Sequence, residues 1–152
     1  MPYNLAVINL PRARRIKRRG FHAVLTLEDP ACSKRNQLRF HVKPVPDHLL
    51  MHLEDEAIDD NEYDYATATE DDVRAIIEFG RRHVQNSLVI HCFYGVGRSG
   101  GAALAILTDR LGNAQAALEA LLSTIPEVGG FEKPSIVFLP CFFLRCILHI
   151  VC

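Results

Sequence analysis

The chain has 152 residues, a formal net charge of −1 and 23% charged residues, and its length predicts a single domain covering residues 1–152. The balanced charge argues against a nucleic-acid partner, because such proteins usually carry a clear excess of Lys and Arg. The first residues lack the charged and apolar segments of a secretion signal, and the five cysteines form no CxxC pair, so we expect reduced thiols and a cytoplasmic location.

Apolar runs bounded by turn residues predict strands in the first half of the chain. Four such runs have the length of a buried strand: residues 5–10, 23–27, 38–42 and 49–53. Pro11 opens a helix that we expect to reach Arg19, because proline is favoured in the first turn of a helix and Gly20 follows as a stop. Residues 54–72 then form an acidic connection with ten Asp and Glu residues.

An amphipathic helix is predicted at the end of this acidic connection. Thr67 and Glu70 have the spacing of a capping box, in which the hydroxyl and the carboxylate each bond a backbone amide of the first turn. Apolar residues at helical spacing define the face that this helix would bury: Val73, Ile76, Ile77, Gly80 and Val84.

The remaining elements complete an alternation of strands and helices. Residues 87–91 form a strand, residues 102–111 form a helix, and Asn113 caps a further helix that runs to Ile125. This alternation predicts an α/β fold with three α-β-α layers, in which helices cover both faces of a mostly parallel sheet of four or five strands. Ligands of such sheets bind beyond the carboxyl ends of the strands.

One loop with unusual composition follows a strand directly: HCFYGVGRSG, residues 91–100. A Cys-x5-Arg spacing alone is close to chance in a chain of this composition, so the position between a strand and a helix carries the argument. Gly95 and Gly97 would let the loop take positive φ and turn its amide groups inward. The following helix aims its positive end at the same point, which predicts a binding site for a charged oxyanion.

Three side chains of this loop have properties suited to nucleophilic chemistry on such an anion. The local positive field favours the thiolate form of Cys92, which is the reactive form of a cysteine. Arg98 offers two parallel donors to an oxyanion, and the Ser99 hydroxyl can donate to the Cys92 sulfur. Cys92 is therefore the candidate nucleophile.

The sequence His91-Cys92-x5-Arg98-Ser99 resembles the phosphate-binding loop of the cysteine-dependent protein tyrosine phosphatase superfamily, most closely its dual-specificity and bacterial tyrosine-phosphatase-like members. The resemblance implies a phosphate monoester hydrolase that forms a cysteinyl-phosphate on Cys92 and needs no cofactor or metal. Its substrate would be a phosphorylated protein or a small phosphate ester, with tyrosine-only and dual specificity both open. His91 would support the loop through hydrogen bonds rather than react itself. The loop would hold the phosphate through six residues: Phe93, Tyr94, Gly95, Val96, Gly97 and Arg98.

The loop departs from that family pattern at two positions. Tyr94 stands where relatives usually carry a small residue, which raises the question of whether its ring closes the pocket. Gly100 stands where a hydroxyl residue often follows Arg-Ser. The loop also has none of the lysines that phosphoinositide-directed relatives carry, which disfavours a lipid substrate.

The resemblance further implies a general acid, an aspartate on a loop that follows a strand. Asp55 fits that place, because it comes directly after the strand candidate 49–53. Asp59 and Asp60 are alternatives, and Asp60 lies 32 residues before Cys92, an interval common in dual-specificity members.

Two other classes of function remain open at the catalytic loop. A rhodanese-like sulfurtransferase also places a cysteine in an anion-binding loop, although the arginine spacing and Ser99 favour a phosphatase. A pseudophosphatase would bind phosphate without turnover. The retained Cys92, Arg98 and Ser99 argue against a pseudophosphatase, whereas Tyr94 and the unassigned acid argue for it.

Several other residues carry a weaker functional signal. His48 and His52 are four residues apart, but no third ligand is evident, so a zinc site is disfavoured. Cys32 could resolve an oxidised Cys92 through a disulfide. Six basic residues in eight favour a solvated helix face, with docking of an anionic partner as the alternative: Arg12, Arg14, Arg15, Lys17, Arg18 and Arg19.

The apolar segment 135–152 raises the question of a membrane span. Pro140, Arg145 and His149 interrupt it, whereas a span needs about 20 largely apolar residues. We therefore predict a buried helix that starts near Pro140, or a homodimer interface if this surface is not buried within the chain.

Overall fold

Four parallel strands form a sheet in the part of the chain that the computed structural model describes: residues 2–15, 21–39, 46–53, 68–95 and 97–124. The strands are β1 (Leu5–Asn9), β2 (Ala23–Glu28), β3 (Asp47–His52) and β4 (Leu88–Cys92), in the order β1-β4-β2-β3. Every neighbouring pair is parallel, and Asn9 lies opposite Cys92. The carboxyl ends of the strands therefore meet at one edge of the sheet, and β4 lies between β1 and β2.

Both faces of the sheet are buried at its inner strands, β2 and β4. Side chains alternate along a strand, so Leu25 of β2 and Ile90 of β4 point into the main core, while Val24 and Val89 point to the opposite face. All four side chains are fully buried. Burial of a large apolar side chain contributes roughly 1.5–3 kcal/mol, so a two-sided core stabilises the inner strands strongly. The burial on both faces is that expected of a parallel sheet.

Four α-helices accompany the sheet in the described residues: α1 (Leu10–Ala13), α2 (Glu70–Arg82), α3 (Gly97–Leu111) and α4 (Ala114–Thr124). Helix α3 packs between α2 and α4 and also contacts β4 and β1. A Cβ atom on Gly80 would lie 2.8 Å from the Ile106 side chain, so the glycine permits the close approach of α2 and α3. The predicted α/β fold is confirmed.

The helix ends follow local capping rules. Gly112, with a φ of 63°, ends α3, and the Asn113 side chain accepts the Ala116 N–H at 2.9 Å at the start of α4, as predicted. Asn9 caps α1 by accepting the Arg12 N–H at 3.0 Å.

Three details predicted from the sequence are wrong. Helix α1 ends at Ala13 rather than Arg19. The cap of α2 is Thr69 rather than Thr67: its hydroxyl accepts the Asp72 N–H at 3.2 Å, and the Asp72 carboxylate accepts the Thr69 N–H at 2.7 Å. Val84 is 46% exposed, because it lies beyond the last residue of α2 and leaves the buried face.

Some predicted elements fall outside the described residues. Residues 38 and 39 of the strand candidate 38–42 are not in a strand, and the rest of that candidate lies outside. The apolar segment 135–152, with the helix or homodimer interface predicted for it, also lies outside. Among the described helices, none is both long and apolar enough to cross a membrane.

Candidate active site

The loop formed by residues 92–98 starts at the carboxyl end of β4, between the ends of β1 and β2. Cys92 is the last residue of β4 and is 4% exposed. The Leu10 N–H donates to the Phe93 carbonyl at 3.2 Å, which ties the loop to the start of α1. The central position of β4 thus surrounds the nucleophile candidate with the ends of the neighbouring strands.

Gly95 occupies a position that excludes every other residue type. Its φ of 78° lies in the left-handed region. A Cβ atom there would lie 2.6 Å from the Asn9 nitrogen and 2.7 Å from the Ile8 carbonyl carbon, both of which belong to the backbone of β1. This conformation directs the Gly95 N–H to the Cys92 sulfur at 3.2 Å.

Gly97 is the first residue of α3. Its φ angle includes an atom of Val96, which lies outside the described residues, so the positive φ expected of Gly97 stays a prediction.

The Cys92 sulfur has a second polar neighbour on α3. Ser99 is fully buried, and its Oγ lies 3.2 Å from the Cys92 Sγ. The Ser99 hydroxyl and the Gly95 N–H can both donate a hydrogen bond to the sulfur.

Arg98 is held beneath the loop by the end of β3. Its side chain is 5% exposed, and its Nη1 donates to the Leu53 carbonyl at 2.8 Å. The Leu53 N–H in turn donates to the Glu28 carbonyl at 2.9 Å, which fixes Leu53 against β2. A guanidinium whose position is fixed in this way can present its planar donors to an oxyanion without reorganising.

His91 belongs to a hydrogen-bonded chain of side chains that crosses three strands. The Thr26 Oγ1 lies 2.8 Å from the His91 Nε2 and 2.7 Å from the His48 Nε2. Burial lowers the pKa of His91 to about 4, assisted by His48, whereas the backbone of Cys92 acts in the opposite direction. His91 is therefore buried and neutral at pH 7, and its support of the loop stays a prediction.

A cavity of about 460 Å³ opens above Cys92 and Arg98. Phe93 and Tyr94 line it and meet edge to face, with ring centroids 5.0 Å apart. Tyr94 is 71% exposed and Phe93 44%. Since most of the Tyr94 surface is free, its ring does not fill the site, and the doubt raised by this unusual residue is reduced.

The last residue of β2 and the loop after it supply a wall of the cavity that the sequence reasoning missed. Glu28, Asp29 and Cys32 line the cavity, and Glu28 accepts a hydrogen bond from His52 at 3.0 Å. Burial raises the pKa of the Cys32 thiol, and the charges of Glu28 and Asp29 raise it further, although Arg98 lowers it. Two acidic residues directly after a buried strand were the available signal, since parallel strands end at the ligand edge.

Several predicted site residues are not brought together by the described structure. Asp55, Asp59, Asp60 and the loop residue Val96 lie outside the described residues. Within the described residues no group of three His, Cys, Asp or Glu could hold a metal ion.

Comparison with solved structures identifies the fold. The chain aligns over 97% of its length with 89% of the chain in a crystal structure of Tk-PTP in the active form, at 17% identity and a TM-score of 0.61. It also aligns over 97% of its length with 90% of human DUSP28, at 13% identity and a TM-score of 0.63. The chain has the fold of these two structures.

A third solved structure, of a phosphatase-like interacting protein, has the same fold. The human tyrosine phosphatase-like serine/threonine/tyrosine-interacting protein aligns with 92% of the chain over 80% of its own length, at 13% identity and a TM-score of 0.58. Neither family sequence models nor curated protein sequences give a match.

Proposed function

We propose that the chain is a phosphate monoester hydrolase, a protein tyrosine or dual-specificity phosphatase that works through a cysteinyl-phosphate. One observation carries the proposal. The buried Cys92 sulfur has the Gly95 N–H and the Ser99 hydroxyl as its hydrogen-bond partners, and the buried Arg98 lines the same cavity. This is an arrangement for a thiolate nucleophile and a dianionic substrate.

The reaction then has two steps. The Cys92 thiolate attacks phosphorus, the S–P bond forms as the P–O bond to the leaving group breaks, and a general acid gives its proton to the departing oxygen. Water then attacks phosphorus, its proton goes to the same group, the S–P bond breaks, and inorganic phosphate leaves with the thiolate restored. Arg98 and the loop amides hold the phosphoryl oxygens in both steps.

We assign the general acid to Asp55, with Asp59 and Asp60 as alternatives. Support comes from Leu53, which lies only two residues before Asp55 in the sequence and whose carbonyl accepts a hydrogen bond from Arg98.

Asp55→Asn should remove the basic limb of the pH profile of kcat, because the reaction then no longer requires a protonated carboxyl group at this position. An unchanged limb would move the role to Asp59 or Asp60.

Hydrolysis of p-nitrophenyl phosphate tests the proposed function. We expect activity that vanadate inhibits competitively, that Cys92→Ser abolishes, and that Arg98→Lys lowers about 10²–10³-fold in kcat/KM, since lysine keeps the charge but loses the paired donors. Full activity of the Cys92→Ser variant would contradict the assignment.

The same preparation separates the alternatives. Sulfur transfer from thiosulfate to cyanide without phosphatase activity would indicate a sulfurtransferase, and vanadate binding without turnover would indicate a pseudophosphatase.

The proposed chemistry requires a reduced Cys92. Cys32 and Cys92 are both free thiols in the structure, which supports the cytoplasm as the location of the protein.

A further inference from the structure

The cavity is bordered by a basic surface that the proposed mechanism does not use. Five exposed cations on two segments form this surface, here called the basic rim: Arg12, Arg14, Arg15, Lys34 and Arg35. Neither residues 2–15 nor residues 30–39 contain an Asp or Glu. The two segments follow β1 and β2, the two neighbours of β4, so the rim flanks the 92–98 loop.

Contacts with the cavity and between the segments define where the rim lies. The first segment includes Leu10, which lines the cavity and begins α1. In the second segment, Lys34 and Arg35 stand between Ser33 and Asn36, which both line the cavity. The two segments are joined directly, because the Arg14 guanidinium donates to the Arg35 carbonyl.

The rim cations lack acidic partners within the described residues. Elsewhere in that part of the chain exposed arginines do find partners: Arg74 pairs with Glu70, and Arg81 pairs with Asp109. Asp29, the exposed carboxylate on the cavity wall, accepts the Ala31 N–H at 2.7 Å. Like charges that lie together on one surface create a positive potential that attracts anionic groups.

We propose that the basic rim binds acidic side chains flanking the phosphorylated residue of a protein substrate, an inference that rests on the proposed phosphatase activity. Cys92 lies at the floor of a cavity, so the phosphate must extend away from its carrier, as a side chain does from a peptide. In an extended peptide the neighbouring residues lie about 3.3 Å apart along the chain and can reach the rim. A continuous anionic lipid surface would meet the carboxylate of Asp29, whereas a peptide can place its acidic residues on the rim alone.

The test compares phosphotyrosine peptides of equal length that carry either Glu or Ala beside the phosphotyrosine. The rim variant is Arg12→Gln/Arg15→Gln, and Arg74→Gln/Arg82→Gln on α2 is a control with the same change in net charge. We expect wild type and control to prefer the Glu peptide, and the rim variant to raise KM for that peptide about three- to tenfold with unchanged kcat, as expected for two exposed charge pairs. The preference should disappear at about 0.5 M salt, where screening is strong. Hydrolysis of p-nitrophenyl phosphate should be the same in all three proteins.

Three results would overturn the proposal in distinguishable ways. Equal kcat/KM for the two peptides, with p-nitrophenyl phosphate still hydrolysed, would reject the rim and leave the phosphatase intact. Loss of sedimentation with phosphatidylserine vesicles in the rim variant, with unchanged peptide kinetics, would reassign the rim to a membrane. If wild type hydrolyses nothing, the proposed function fails. In that case the affinity of the Cys92→Ser variant for the two phosphotyrosine peptides tests the basic rim. Equal affinity for the Glu and the Ala peptide would reject the proposal.

Discussion

Gly95 satisfies two separate demands of its surroundings. Its φ of 78° turns the chain so that its N–H reaches the Cys92 sulfur, and the absence of a Cβ atom lets the loop lie against the backbone of β1. Ser99 supplies the other polar contact to the sulfur from α3. At the scale of residues, the surroundings of Cys92, the candidate nucleophile, therefore depend on one backbone conformation and one hydroxyl.

Gly95→Ala should abolish activity through the shape of the loop. The substitution costs about 1–2 kcal/mol for the left-handed conformation and forces the loop away from the Asn9 backbone, 2.6 Å from the new Cβ. We expect at least a hundredfold loss of kcat/KM for p-nitrophenyl phosphate, and a fall of about 2–4 kcal/mol in the free energy of unfolding measured with urea.

Gly112→Ala is the matched control for that substitution. Gly112 also has positive φ, 63°, but a Cβ atom there would meet no atom within 4 Å. It should lose only about 1–2 kcal/mol in the free energy of unfolding and keep its activity. Equal stability losses in the two variants would contradict the close contact with β1.

Elements were easier to predict than their ends. The strands β1, β2 and β4 begin or end within one residue of their predicted bounds, because continuous apolar runs mark buried parallel strands. The start of α2 was misplaced because TATEDD contains two overlapping capping patterns, Thr67 with Glu70 and Thr69 with Asp72. Only the bonds seen between Thr69 and Asp72 decide between them.

Removal of the observed cap should destabilise α2 measurably. Thr69→Ala deletes the hydroxyl that accepts the Asp72 N–H, so we expect a loss of about 0.5–2 kcal/mol in the free energy of unfolding. Thr69→Ser keeps the hydroxyl and should remain within a few tenths of a kcal/mol of wild type. A full loss in the serine variant would show that the methyl group, rather than the cap, stabilises this helix end.

At the scale of the whole molecule, the order of strands brings distant segments to one site. Because β4 lies between β1 and β2, the 92–98 loop contacts the start of α1 and shares a cavity with the loop after β2. The same order lets His91, Thr26 and His48 form a hydrogen-bonded chain across β4, β2 and β3. The histidine next to Cys92 is thus connected through Thr26 of β2 to His48 of β3.

That histidine should make global stability depend on pH. Burial lowers the pKa of His91 from 6.5 to about 4 in the folded state, so below pH 6.5 the unfolded state binds a proton that the folded state does not. Stability is therefore full above pH 6.5 and falls as the pH approaches 4, by about 3 kcal/mol from this residue alone. Urea unfolding of wild type at pH 7 and pH 4 should show this loss, and His91→Gln should lack that part of it. Equal pH dependence in the two proteins would remove His91 from this role.

The sequence by itself determined the fold class and singled out the loop on which the candidate site is built. Hydrophobic runs, glycines that end helices and the Cys92-x5-Arg98 spacing are all local patterns. They can be read from the sequence because the interactions that produce them act between residues close together in the chain. What lies on the other walls of the cavity was decided only by tertiary structure, because Glu28, Asp29 and Cys32 approach Cys92 through strand order. The need for glycine at position 95 and the contact between the two segments of the basic rim depend on the same packing. Such contacts join segments that are far apart in the chain, and the periodicity of the sequence does not show which distant segments will meet.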